Sequence, residues 1–522
     1  MHQACVNLRS SRHQTAEPVL ACDLVLIATG PPLTATHDEE GDGLAAPLSS
    51  SPSLPPLRRL PVGSASTSPA ASAAETIAAS PGGTPAQSAA TDGAAAPVTA
   101  PVVVIGGGQA GLSVASCLQQ RGIEALVLER HRVAHAWEQQ RWDSFCLVTP
   151  NWQCRLPGFP YDGDDPDGFM GREAIVDYVR RFAERSAITV REGVSVERLV
   201  PSSNGYRLLT SAGVIDTEQV VIATGAYHHP RRHPMAERLP GKVLQLDARD
   251  YRHPDQLPEG PVLVVGSGQS GCQIAEDLFL AGRRVHLSVG SAPRSPRRYR
   301  GRDVVEWLER MGVYDTPIDA HADPRAVRHK TNHYLTGRDG GREIDLRQRA
   351  SEGMVLHGRL ERITAAGLSF ADNLAANLDA ADAVYTRIRA SIDAYIAANG
   401  LDAPLEPPYQ PCWRPAPSRE LSLIDLYKEP LAAVIWCTGY RSDFSWVEVP
   451  VFDGSGEPVH HRGITQAEGL YFIGLPWLHT WGSGRFCGIG GDADHLAQRI
   501  QQQLQPRGSR TEPLECTALL GS

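Results

Sequence analysis

No two of the ten cysteines stand as C-x-x-C. That absence excludes a zinc ribbon and a dithiol redox centre read from spacing, and scattered single cysteines fit a reducing compartment. Nor does any stretch approach the roughly 18 consecutive apolar residues of a membrane-spanning helix. Met1–Ser11 carries no basic segment followed by an apolar one, so no secretory signal is read there. The expectation is a cytoplasmic protein with no membrane span. Lysine is nearly missing, at 242, 330 and 428 only, and arginine carries the basic charge. The net charge is −9, which argues against a general nucleic-acid binder. Aromatic residues make up only 6% of the chain, but 42% of its 522 residues are hydrophobic. That excludes a wholly disordered or fibrous protein and leaves room for about three domains.

Residues 31–100 stand apart from the rest. Ala, Ser, Pro, Gly and Thr fill 51 of those 70 positions, with no aromatic residue. Such a composition buries too little apolar surface to offset its ordering entropy, so residues 1–100 are expected to form a disordered leader. Asp23–Gly30 inside it resembles a lone strand with nothing to pair against. Folded sequence is expected from Pro101. The run Val102–Ile105 reads as a buried parallel strand, followed by a glycine turn, a helical pattern to Leu118, and a second strand at Ala125–Glu129. The same order returns at Pro261–Gly290, about 160 residues further on. Val220–Gly225 and Val434–Tyr440 read as two more buried strands, each ending in a Thr-Gly turn. Leu374, Leu378, Ala381, Tyr385, Ile388, Ile392 and Ile396 recur every three or four residues. They predict one long amphipathic helix over residues 371–399, stopped by Gly400, whose plain role is packing. Residues 404–417 are Pro-rich and irregular, and 506–522 read as a flexible tail.

The two glycine turns carry the chemistry. Gly106–Gly111 reads GGGQAG and fits G-x-G-x-x-G. Gly106 permits the tight turn, Gly108 lets the backbone approach a pyrophosphate, and Gly111 lets helix and strand pack closely, with Gln109 and Ala110 between them. The pyrophosphate sits on the helix N-terminus. Glu129 closes the next strand, where a carboxylate accepts from an adenosine ribose. The second copy, Gly266–Gly271, reads GSGQSG, with Gly268, Gln269 and Ser270 at its centre. Val289 stands where Glu129 stands in the first copy, so no carboxylate is offered to a free 2′-hydroxyl. Arg294, Arg297 and Arg298 follow, with Arg300 and Arg302 beyond them. Arginine forks suit a 2′-phosphate, which favours NADPH over NADH. The plain alternative is a basic solvated loop. Two dinucleotide turns imply hydride flow from a nicotinamide to a flavin. With no paired or clustered cysteines to receive electrons, the acceptor is oxygen or an organic molecule.

The order GGGQAG, GSGQSG, WCTGY resembles the flavin-containing monooxygenases, their bacterial relatives and the plant YUCCA enzymes, over about residues 101–500. Val133–Trp137, Arg141–Tyr161, Ile222–Pro230, Gly469–Gly474 and Gly490–Asp492 each resemble a family segment in the family order. The resemblance implies an α/β fold with two Rossmann-like dinucleotide-binding domains. A discontinuous FAD domain (101–230 and 434–505) would carry an inserted NADPH domain (231–433) that holds the helical insertion. Trp137, Trp142, Gly225, Gly439, Gly474 and Asp492 are thereby expected against FAD. The implied reaction is reduction of FAD by NADPH, capture of molecular oxygen as a C4a-peroxyflavin and oxygenation of a small organic substrate. This is the pattern of a class B flavin monooxygenase.

Two departures keep a second reading open. Asp247 and Ala248 replace the His and Ser of the family fingerprint F-x-G-x-x-x-H-S-x-x-Y, while Tyr251 remains. Val148 stands where animal-type members carry an Asn beside the flavin; the nearest amide is Asn151, the candidate catalytic residue. The H-x-x-x-W-P ending of a Baeyer–Villiger enzyme is missing. The alternative is an NADPH-dependent flavoprotein reductase or oxidase that oxygenates nothing. A flavoprotein acting only as a binding partner is disfavoured, since both fingerprints keep every glycine. His228, His229 and His233, and the pair His460–His461, complete no tetrahedral ligand set, so no metal is expected. Trp477–Phe486 either lines the flavin pocket or is a packed loop. The substrate and the oligomeric state are left open.

Overall fold

The computed structural model describes residues 98–416 and 422–505. The expected leader, apart from residues 98–100, and the expected tail both lie outside the described residues, as does Asp23–Gly30. The described residues fall in one compact unit.

In chain order the first half contains strand β1 (Val98–Ile105), helix α1 (Gln109–Gln119), β2 (Ala125–Glu129), α2 (Arg172–Arg185), β3 (Val190–Glu192), β4 (Val196–Ser202), β5 (Gly205–Thr210) and β6 (Gly213–Ile222). Next come β7 (Leu244–Asp247), β8 (Val262–Val265), α3 (Gln269–Leu280), β9 (Val285–Ser288), β10 (Val355–His357), α4 (Leu374–Ala398) and β11 (Ala433–Trp436). The chain then returns through β12 (His460–His461), β13 (Ile464–Thr465), β14 (Leu470–Phe472) and α5 (Ile489–Leu504). One sheet has the order β12-β13-β14-β6-β1-β2-β3, with β4 and β5 paired beside β6. The other has the order β7-β11-β8-β9-β10, and all its pairings are parallel. The chain is thus an α/β protein with two dinucleotide-binding halves, the second inserted into the first.

Residues Val102–Val104 are wholly buried between layers, which is why they read as a continuous β-branched run rather than an alternating one. Strand β1 starts at Val98, three residues before the expected start of the fold, because Val98–Ala100 pair with Ile215–Thr217 of β6. A second correction concerns the boundary at 434. Strand β11 lies between β7 and β8 in the second sheet, so the crossing back to the first sheet comes after Trp436. A strand buried on both faces looks the same in either sheet, and sequence pattern could not assign it. The two crossing segments pair with each other, His229–Pro230 running antiparallel to Tyr440–Arg441. His229 Nε2 and Asp443 Oδ2, 2.9 Å apart, tie them further. The predicted insertion helix is α4, and all seven of its periodic positions are buried.

Candidate functional site

Both glycine turns open into the same cleft, of about 2160 Å³. They are built alike. Gly106 has φ +115°, and a Cβ there would lie 2.6 Å from the Ala223 carbonyl oxygen; a Cβ at Gly111 would lie 2.0 Å from the Gly106 oxygen. In the second turn Gly266 has φ +103° with the Cys437 oxygen at 2.6 Å, and a Cβ at Gly271 would meet the Gly266 oxygen at 1.8 Å. No side chain fits at any of the four. At Gly108 the position of a Cβ is clear of other atoms to 4 Å, so this backbone is open to the cleft and free for a phosphate to approach. Glu129 accepts from Gly107 N at 2.7 Å and from His131 N at 2.9 Å. Its carboxylate is thereby fixed at the end of β2 and faces the cleft. An open glycine cradle at a helix N-terminus, beside an oriented carboxylate, fits the pyrophosphate and ribose of FAD.

Several expected residues meet there. Gln109 Oε1 accepts from Trp137 Nε1 at 3.1 Å, and Gln109 Nε2 donates to the Gly484 oxygen at 3.3 Å. Trp137 stacks on Phe486 with ring centroids 5.7 Å apart. Ala110, Trp142, Gly225, Gly439 and Gly474 line the cleft, and a Cβ on Gly474 would lie 2.7 Å from that of Ala110. Trp477, Trp481 and Ser483–Phe486 also line it. At the second turn Gly268, Gln269 and Ser270 face the cleft. Leu335 N donates to Gln269 Oε1 at 3.3 Å, and Gln273 Nε2 donates to Leu335 O at 2.5 Å. These bonds hold residues 331–335 across the turn. Ser267 Oγ accepts from Gly290 N at 2.9 Å, fixing the end of β9. No carboxylate stands at Val289, so a 2′-phosphate meets no repulsion there. Asp492 sits in the first turn of α5, 3% exposed and with Oδ2 unpartnered. Burial pushes its pKa up to about 6. Asp492 does not line the cleft, so the structure does not bring this expected residue to the cofactor site.

Four more expected residues are corrected. Asn151 is buried with both ends of its amide engaged: Nδ2 donates to Asp165 O at 2.9 Å, and Oδ1 accepts from Met170 N at 2.7 Å. It fastens a loop and does not line the cleft, whereas Val148 and Thr149 do. Arg294 is 2% exposed, with Asp382 at 2.8 Å and Glu343 and Asp345 each at 2.9 Å. Its guanidinium lies between Tyr385 at 4.3 Å and Tyr409 at 4.5 Å. Arg297 is also 2% exposed, paired with Asp303, and donates to Val148 O at 2.8 Å. Arg298 is exposed and donates to Gly340 O at 2.9 Å. None of the three lines the cleft. Asp382 and Glu343, two of the partners of Arg294, lie 88 and 49 residues away in sequence, beyond the reach of a local pattern. The sequence reading also passed over two half-buried arginines that do line the cleft, Arg141 and Arg485. Nothing in their spacing marks them.

The wall beside Arg485 is aromatic. Trp481 stacks on Tyr314 at 4.9 Å, and Trp481 Nε1 donates to Asn332 Oδ1 at 3.0 Å. Burial first, then Arg485 and Lys330, depress His333 to about 4, so at neutral pH this wall carries no imidazolium.

Fold and site together define an α/β oxidoreductase with two dinucleotide turns. Residues 103–349 match the pyridine nucleotide-disulphide oxidoreductase family. The chain is 32% identical over 403 residues to a CzcO-like oxidoreductase of Geobacillus kaustophilus, a match spanning 76% of this chain and 97% of that one. It is 30% identical over 193 residues to the indole-3-pyruvate monooxygenase YUCCA1 of Oryza sativa, spanning 36% of this chain and 47% of the relative. A flavin-containing monooxygenase of Stenotrophomonas maltophilia shares the fold, with TM-score 0.53 at 18% identity over 78% of this chain and 100% of that one. A bacillithiol disulfide reductase of Staphylococcus aureus does too, with TM-score 0.51 at 14% identity over 78% and 100%. The chain belongs to the flavin-containing-monooxygenase-like family of oxidoreductases.

Proposed function

We propose that this protein is an NADPH-dependent FAD monooxygenase acting on a small organic substrate with molecular oxygen. The observation that carries the reading is that two equivalent glycine turns face one cleft. A flavin and a nicotinamide held there would supply the hydride transfer and the delivery of electrons to oxygen. The chain's own groups bind and orient. The N–H groups that open α1 cradle one pyrophosphate, and those that open α3 cradle the other. Glu129 accepts the ribose hydroxyls. The absence of a carboxylate at Val289 admits the 2′-phosphate of NADPH. Trp137, Phe486 and the Trp481 wall keep water from the reacting centre.

A second reading, a reductase or oxidase, is favoured by one detail. Val148, not an amide, lines the cleft where the resemblance expects Asn, and the amide of Asn151 is spent on its loop. The test is to load the protein with FAD and add NADPH without oxygen. Bleaching of the flavin is expected, and failure to bind FAD or to bleach would overturn both readings. In air, with thioethers, amines and ketones supplied in turn, product formed per NADPH supports the monooxygenase. Peroxide accounting for all the NADPH with every substrate supports the oxidase.

A further inference from the structure

Of the four buried arginines in the inserted half, Arg294, Arg297 and Arg347 are paired with carboxylates, while Arg389 lies over the Tyr299 ring and donates to Pro407 O. Arg294 has three carboxylates and Arg347 has two, Asp379 and Asp382. Arg141 is built differently. It is half-buried in the cleft wall, and no carboxylate among the described residues lies within 4.0 Å of it. Its guanidinium stands 5.0 Å over the Trp137 ring and 5.5 Å over that of Phe145. Its one hydrogen bond, from Nη1 to Gln140 O at 2.7 Å, leaves Nε and Nη2 unused among the described residues. Tyr440 and Tyr227, from the two crossing segments, are the groups that favour its charge, while burial draws its pKa below the ordinary arginine value. A guanidinium held in partial burial without a counter-ion is costly. The cost is recovered when the ligand brings the negative charge.

The location says which charge. Gln109, on the first turn, bonds to Trp137, the ring under Arg141. Tyr440 lies three residues after Cys437, whose oxygen abuts Gly266 of the second turn. Arg141 therefore lines the cleft that both phosphate cradles share, and a planar fork with free N–H groups matches a phosphate bidentately. We propose that Arg141 binds a phosphate group of a bound dinucleotide, in the role that sequence pattern assigns to Arg294 and Arg297. The assignment rests on the two-dinucleotide reading of the cleft and adds a residue to it.

The test compares wild type, Arg141→Gln and Arg141→Lys. FAD occupancy is read by absorbance after dialysis at fixed free FAD, and the affinities of NADP+ and NAD+ by calorimetry. A loss of roughly tenfold to a hundredfold is expected in Arg141→Gln, with the melting temperature kept. Lysine retains the charge without the fork, so Arg141→Lys should fall between the two. It also supplies the comparison if the glutamine variant does not fold. Loss for FAD alone assigns the phosphate to FAD. Equal loss for NADP+ and NAD+ assigns it to the nicotinamide pyrophosphate, and loss for NADP+ alone to the 2′-phosphate. Unchanged binding of all three by Arg141→Gln, or by a folded Arg141→Lys when the glutamine variant does not fold, overturns the proposal. Wild-type protein that binds neither FAD nor a nicotinamide dinucleotide overturns the functional reading instead.

Discussion

Two sets of arginines divide this molecule. Arg294 and Arg297 are buried, neutralised by carboxylates and excluded from the cleft. Arg141 and Arg485 are half-buried, face the cleft and have no carboxylate partner among the described residues. Arg485 is spent on Trp481 O at 3.1 Å and Asn332 Oδ1 at 3.2 Å, with the Trp481 ring 4.7 Å from its guanidinium. Arginine density along the chain therefore does not locate an anion site. What points to one is a guanidinium in the cleft wall that is partly desolvated, has no carboxylate partner among the described residues and keeps N–H groups free. The paired set has a different task. Arg294 and Arg347 share Asp382 of α4, and Arg347 also donates to Trp413 O at 3.1 Å. Together they clamp the helical insertion and the Pro-rich segment to the second sheet.

The largest effect that would break this comparison is on stability. Arg294→Met leaves Glu343, Asp345 and Asp382 without their shared cation. It should cost about 3–5 kcal/mol, as for breaking a buried pair, read by chemical denaturation. NADP+ affinity per folded molecule should not change. A variant with wild-type stability and weakened NADP+ binding would return Arg294 to the ligand site.

Asp492 is a buried carboxyl with a hydrogen bond to the Ser483 side chain and the Arg462 Nε at 3.9 Å. Its folded pKa is raised from 3.8 to about 6. The folded state thus holds its proton where the unfolded state has lost it, so stability is greatest below the ordinary value and falls as pH rises through about 6. Asp492→Asn removes that dependence. In FAD-free protein its stability relative to wild type should rise by up to about 3 kcal/mol between acidic and neutral pH. Parallel curves for the two proteins in denaturant titrations would show that Asp492 already has its partner.

Asp382→Asn removes the one carboxylate that Arg294 and Arg347 share. A loss of about 1.5–3 kcal/mol is expected from weakened charge-assisted bonds, seen as a lower melting temperature with unchanged flavin content. The smallest effect is at Arg141. Without ligand, Arg141→Met should leave stability unchanged or raise it by about 1 kcal/mol, because no ion pair is lost and an uncompensated charge is removed. A large loss would mean that the guanidinium is structural after all.

Much of the architecture was legible. Val102–Ile105 followed by GGGQAG, and its echo at Pro261–Gly290, announced two strand-turn-helix units because only glycine fits the contacts of Gly106 and Gly111. The periodicity of Leu374 through Ile396 announced α4 because one face of a helix must be buried. Glu129 was legible because it closes the strand beside the turn. These are local rules, settled within a few turns of chain. Tertiary structure decided what depended on partners far away in sequence. It placed the strand Ala433–Trp436 in the second sheet and spent the amide of Asn151 on Asp165 and Met170. It brought Glu343, Asp345 and Asp382 to Arg294 and left Arg141 without a counter-ion in the cleft. A charge acts as a ligand or as a strut according to whether the fold brings it a counter-charge, and no spacing of residues along the chain specifies that.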